Sequence, residues 1–258
     1  MGIFPSIYSM IPNYQYPPTV LFKIARNMVS GQDSSFRSLA REFFKKQPDL
    51  LKIEGKEYIP ELGPCVLTFN HYHRPGFHAW WLALAVASVI PQDIHWIATN
   101  ELTFPNKWYR VIGRPASRGI LRRFSKIYRF TGMPPMPPRP EDARERAHAV
   151  RKVLTYIKQH EHSFIGLAPE GSDHSDGTLS MPAKGLGRFC LLLASSGMQF
   201  TPIGIHESDG SLQLNFGPQY SLKIPANLPA KQRDQFASRK VMDHIAYLMP
   251  DHLRGDFG

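Results

Sequence analysis

The chain has 258 residues, 42% of them hydrophobic, and carries 31 Lys and Arg against 21 Asp and Glu, a formal net charge of +10. That length and apolar content can fill a proper core, which excludes a disordered chain and suits a single large α/β domain. The charge favours anionic partners such as phospholipid headgroups or acidic thioesters; nucleic acid is not expected, because no basic stripe interleaved with aromatics and no finger motif accompanies it.

Cys65 and Cys190 are the only cysteines, both inside apolar stretches, and read as buried thiols of a reducing compartment. The opening Met1-Gly2-Ile3-Phe4-Pro5 lacks the basic flank and apolar core of a secretory signal. The longest apolar run, Phe77 to Ile90, is shorter than the roughly 18 to 20 residues of a membrane span. The expected location is the cytoplasm, with any membrane contact peripheral and on the inner face.

In chain order, residues 1 to 18 form an irregular arm rich in Pro and Tyr, and Thr19 to Val29 suit a short amphipathic helix. Ser34 or Ser35 caps a second helix through Phe44, with Phe36, Leu39 and Phe43 on one face. This basic pair could lie on an anionic bilayer or pack on the domain with its charges in water. Residues 1 to 48 are thus read as an arm, and 49 to 258 as the α/β domain.

Leu51 to Tyr58 alternates like an edge strand, and Cys65 to Phe69 reads as a buried one. Phe77 to Ile90 is an apolar helix ended by Pro91, and Ile94 to Thr99 a further strand. Residues 100 to 140, with their many cations and the run Met133-Pro134-Pro135-Met136-Pro137-Pro138, read as a long irregular stretch suited to a lid. Pro140-Glu141-Asp142 starts a helix to about His160 that buries Ala147, Val150, Leu154 and Ile157. Phe164 to Ala168 is a strand, Ala183 to Ser195 a helix, Phe200 to Ile205 a strand, Leu212 to Phe216 an antiparallel one, and Lys231 to Leu248 the last helix. The expected fold is α/β: a mixed, partly parallel central sheet flanked by helices, with an N-terminal amphipathic helical arm.

The chemistry concentrates where two apolar strands end, in Asn70-His71 and in Ala168-Pro169-Glu170-Gly171-Ser172. An imidazole and a carboxylate leaving strand ends are well placed to face a ligand. Around them the order is Pro60-Glu61-Leu62-Gly63-Pro64, then Asn70-His71, a basic middle, Pro169 to Ser172, Lys184-Gly185, and Thr201-Pro202-Ile203-Gly204-Ile205. This pattern, over roughly residues 50 to 220, resembles the glycerolipid acyltransferase family, which contains the lysophosphatidic acid acyltransferases.

The resemblance implies an acyl group moved from a thioester of coenzyme A or acyl carrier protein to a hydroxyl of a lipid-related acceptor, with no other cofactor. His71 matches the family's base, and a neutral imidazole suits proton removal near pH 7. His73 is a second candidate, because His73 and His78 repeat the spacing as a shifted pair. The implied substrate-binding residues are Arg74, Glu170, Gly171, Ser172 and Lys184, and no metal is required.

Two positions depart from the family. Gly76 stands where an Asp would orient the base, and Asp173 stands where an Arg would hold an acceptor phosphate. Glu170 or Asp173 could supply the missing carboxylate, and Arg74, Lys184 or Arg188 the missing cation; otherwise the acceptor carries no phosphate. Phe77, Trp80, Trp81, Leu82 and Leu84 could line an acyl chain, but at helical spacing they read first as core. Two alternatives stay open: a catalytically degenerate lipid-binding or membrane-associated member of the same fold, and a metal-dependent hydrolase using His71, His73 and His78 beside Asp173, His174 and Asp176.

Overall fold

Residues 11–102, 110–136, 139–172 and 176–258 are described in the computed structural model of the chain. Their strands form one seven-stranded sheet: β1 (Leu51–Glu54), β2 (Cys65–Phe69), β3 (Ile94–Thr99), β4 (Thr131–Met133), β5 (Phe164–Leu167), β6 (Gln199–Ser208) and β7 (Ser211–Phe216). The spatial order is β1-β7-β6-β2-β5-β3-β4, and every pairing is parallel except β6 with β7. The expected mixed, partly parallel sheet is therefore what forms, with the late strand antiparallel and Leu51–Glu54 at an edge.

Period two decides the layers. Along β2, Cys65, Leu67 and Phe69 join a core with Phe36, Leu39, Phe43 and Trp81, while Val66 joins a second core with Ile165, Phe189 and Val241. On the first face lie α2 (Phe36–Lys45) and α3 (Trp80–Val89); on the other lie α5 (Ala143–Gln159), α6 (Leu186–Ser195) and α7 (Ala230–Ala246). Phe77, Trp81, Leu82 and Leu84 are core, as their spacing suggests, and Trp80 is partly buried. Both cysteines are buried and free.

The N-terminal pair divides. Ser35 caps α2 by accepting the Ser38 N–H, and Phe36, Leu39 and Phe43 are spent on the core. By contrast α1 (Pro18–Ser30) buries only Val20 and Asn27. The arm of residues 11–17 is irregular, and its Tyr14 and Tyr16 rings stack on Trp81 and Trp80.

Two expectations fail. Residues 100 to 140 are not one irregular stretch: Arg110–Ile127 is an 18-residue helix, α4, followed by β4. This helix contains Gly113, Pro115 and Gly119, but tertiary packing outweighs their poor propensity: Ser117 is buried within the helix, and Ile127, Tyr128 and Phe130 anchor its end in the first core. The run Pro134 to Met136 is irregular as expected, while Pro137 and Pro138 lie outside the described residues. In α5 the buried row is Ala149, Val153 and Ile157; Ala147 is exposed, and Val150 and Leu154 are only partly covered. The apolar stripe was broad enough to allow either row, and contact with the sheet selects one.

His95 of β3 is buried between Thr131, whose hydroxyl is 2.8 Å from Nε2, and the Tyr156 ring, stacked at 4.0 Å. Burial, reinforced by the Lys152 and His160 charges, pushes this imidazole from 6.5 down to about 4. The native protein thus refuses a proton that the unfolded chain accepts. The contribution is full above the unfolded value of 6.5 and is lost as pH falls toward about 4, which amounts to about 3 kcal/mol. In urea unfolding followed across that range, His95→Gln should flatten the acid limb; an unchanged slope would count against this origin.

Candidate active site

The polypeptide reverses its winding between β2 and β5. From β2 the chain crosses through α3 to β3 on one side, and from β5 it crosses through α6 to β6 on the other, yet β2 and β5 are neighbours. Such a switch point opens a crevice outside the carboxyl ends of the strands. Thr68 pairs with Leu167 and Phe69 with Ile203, so Asn70-His71, Pro169-Glu170 and the end of β6 emerge side by side.

Asn70 is buried, and its side-chain amide donates to the Ile205 carbonyl at 2.8 Å while accepting the Ile205 N–H at 2.7 Å. The side chain thereby prolongs the β2–β6 ladder where the backbone turns away. One residue on, the His71 N–H donates to the Glu170 carboxylate at 2.6 Å. The other oxygen of that buried carboxylate accepts the Ser180 N–H at 3.0 Å. Glu170 therefore joins three segments, the ends of β2 and β5 and the stretch before α6, by charge-assisted bonds.

Turn chemistry shapes both loops. Ala168 accepts the Gly171 N–H, with Pro169 at the second position and Gly171 at φ +70°, where a side chain would meet Met136. In the first loop, Arg74 accepts the Phe77 N–H across Pro75 and Gly76, and Gly76 has φ +79°. A type II turn demands that left-handed corner and favours Gly there. Gly76 is thus the left-handed corner of a tight turn between Arg74 and Phe77. The loops touch at Gly177, φ +73°, where a Cβ would lie 2.6 Å from the His73 carbonyl.

This loop has its own anchor, which sequence reading missed. Glu207, just past the buried run of β6, binds Arg74 with both oxygens, one at 2.9 Å, and accepts the Tyr14 hydroxyl at 2.7 Å and the Tyr72 hydroxyl at 3.4 Å. The hydrogen bond to Glu207 raises the Arg74 pKa, while burial and Glu207 together push the Tyr72 phenol up to about 12 and Tyr14 higher still. Both phenols stay protonated as donors. The available signal was a carboxylate at a strand end, two residues beyond the Thr201 to Ile205 motif.

Of the residues singled out, the fold brings together His71, His73, Arg74, Glu170, Gly171 and Ser172. His71, His73 and Arg74 are partly buried; Gly171 and Ser172 are exposed. Lys184 is exposed just ahead of α6, whose first turn is capped by Asp234 of α7 through the Gly185 and Arg188 N–H groups at 2.8 and 2.9 Å. Asp173 and His174 lie outside the described residues, and among the described ones no group of three His, Cys, Asp or Glu could hold a metal. A cleft of about 800 Å³ lies elsewhere, against β3, α4 and α5, and none of these site residues lines it.

A model of the acyltransferase family matches residues 50–206. No curated protein matches in sequence. Among solved structures, the 1-acyl-sn-glycerophosphate (LPA) acyltransferase PlsC from Thermotoga maritima is similar at 15% identity, covering 89% of this chain and 87% of its own, with a TM-score of 0.51. At that identity the likeness speaks for the fold.

Asn70→Ala strips two buried backbone groups of their partner and should cost about 2–4 kcal/mol in denaturant unfolding. Asn70→Asp, which sets a buried carboxylate oxygen against the Ile205 carbonyl, acceptor to acceptor, should cost at least as much. Equal stability of all three proteins would contradict the proposed bridging role.

Proposed function

The chain belongs to the acyltransferase family, and on that footing we propose that it moves a fatty acyl group from a thioester of coenzyme A or acyl carrier protein to a hydroxyl of a lipid-related acceptor. The observation that carries this reading is the placement of His71 and the Glu170-Gly171-Ser172 turn at the ends of adjacent parallel strands, joined through the Glu170 carboxylate. His71 takes the hydroxyl proton; the oxygen attacks the thioester carbon; the tetrahedral intermediate collapses, the carbon–sulfur bond breaks, and the thiolate leaves with the proton. The turn positions the acceptor, Arg74 holds its loop through Glu207, and Lys184 meets anionic groups. His73 is the second imidazole within reach of the same crevice.

The acceptor that fits has no phosphate. Asp173 replaces the family's cation, and Arg74 is already paired with Glu207, so a phosphate at Arg74 would have to compete with a buried carboxylate. A second reading, binding of thioester or lipid without turnover, is favoured by one observation: the left-handed Gly76 corner occupies the family's orienting Asp position.

Thiol release separates the readings, with acyl-coenzyme A and acyl carrier protein donors offered alongside acceptors with and without phosphate. The active reading expects turnover on unphosphorylated acceptors and a loss of at least about 100-fold in His71→Ala, with a smaller loss in His73→Ala. Equal release by wild type and His71→Ala would remove the base; donor binding with no release would establish the second reading.

A further inference from the structure

Residues 12 to 17 are neither helix nor strand, yet three consecutive ones are pinned. Gln15 and Gln47 exchange a reciprocal pair of hydrogen bonds, backbone N–H to Oε1 and Nε2 to carbonyl, both at 3.0 Å. The Tyr16 hydroxyl accepts the Trp80 indole N–H at 3.3 Å. Tyr14 reaches further in: its ring stacks on Trp81 at 5.0 Å and meets the Phe77 ring edge-on at 5.6 Å, while its hydroxyl donates to Glu207, 193 residues away in sequence. Phe77 is the last residue of the turn that starts at Arg74, and the Tyr72 ring meets it edge-on at 5.2 Å. On the Glu207 carboxylate, Oε1 accepts Tyr14 and Arg74, and Oε2 accepts Tyr72 and Arg74. Tyr14 therefore holds the loop after His71 at both ends, directly at Phe77 and through Glu207 at the two residues that flank His73.

We propose that Tyr14 is a positioning residue of the active site, fixing through Glu207 and Phe77 the loop that carries His71 and His73. Its kinetic consequence rests on the acyl-transfer reading of that site; its effect on the loop does not. Asn70 and Glu170 settle where His71 leaves the sheet, but the next residue is Tyr72, and from there the place of the loop depends on Glu207. The Glu207 side chain is only 6% exposed, so a donor withdrawn from it is not freely replaced by water. Burial and the neighbouring Glu207 charge hold the Tyr14 phenol well above its usual range, which keeps it a donor at every working pH. A base displaced by about 1 Å can lose on the order of 100-fold in rate, so an anchor of this kind acts on turnover without touching substrate. The irregular segment ahead of α1 thus belongs to the catalytic unit, although it precedes the α/β domain in sequence.

The test is Tyr14→Phe in the full chain, which removes the hydroxyl and keeps both ring contacts, so the melting curve should barely move. In thiol release its kcat should fall about 10-fold with the donor KM unchanged. Glu207→Ala should lose at least as much, and Tyr14→Phe with Glu207→Ala should be no slower than Glu207→Ala alone, because the hydroxyl acts through that carboxylate. Tyr16→Phe, which breaks the adjacent bond to Trp80, should leave kcat as it is. In hydrogen exchange, the Phe77 N–H, bonded to the Arg74 carbonyl, should exchange about 10-fold faster in Tyr14→Phe than in wild type. Wild-type kcat in Tyr14→Phe, additive losses in the double variant, or an unchanged Phe77 rate would each overturn the proposal. Exchange needs no turnover, so failure of the acyl-transfer reading shows as silence in thiol release, and failure of Tyr14 as an unchanged Phe77 rate.

Discussion

The end of β2 is the constraint on which the site depends. This strand is central and buried on both faces, so its ladder cannot stop without leaving backbone groups dry and unpaired. Asn70 answers on the β6 side with its amide, and Glu170 answers on the β5 side with its carboxylate. Those bonds fix the point at which His71 leaves the sheet. They also explain why a buried carboxylate is tolerated: it is surrounded by N–H groups that would otherwise lack acceptors.

Beyond that point the loop follows its own chemistry. Pro75-Gly76 closes a tight turn, and Arg74 and Tyr72 are drawn to Glu207 at the end of the next strand. A carboxylate from β6 holds the loop through its arginine. Tyr14 completes this anchor, so the irregular N-terminal segment is tied to the same cluster and covers Phe77 and Trp81 with aromatic contact.

The fold pairs part of the positive charge internally. The overall excess of cations was compatible with a solvated basic surface, but the fold consumes many arginines locally: Arg74 on Glu207, Arg114 and Arg118 on Glu101, Arg139 on Asp142.

Hydrophobic periodicity and strand-end motifs made most of the architecture legible, since period two and period 3.6 are local properties of the chain. The β2 and β5 strands, the capped α2, the apolar α3 and the residues at the crevice could all be read from the sequence in that way. What stayed hidden depends on partners distant in sequence. The α4 helix forms despite internal Gly and Pro because its far end packs into the core, and the chosen row of α5 is fixed by the sheet beneath it. Glu207, 133 residues from Arg74, meets it only because β6 pairs with β2. The sequence by itself determined which residues stand at strand ends; the parallel register of β6, β2 and β5 decided which of them touch, because strand order is set by long-range burial that local spacing does not encode.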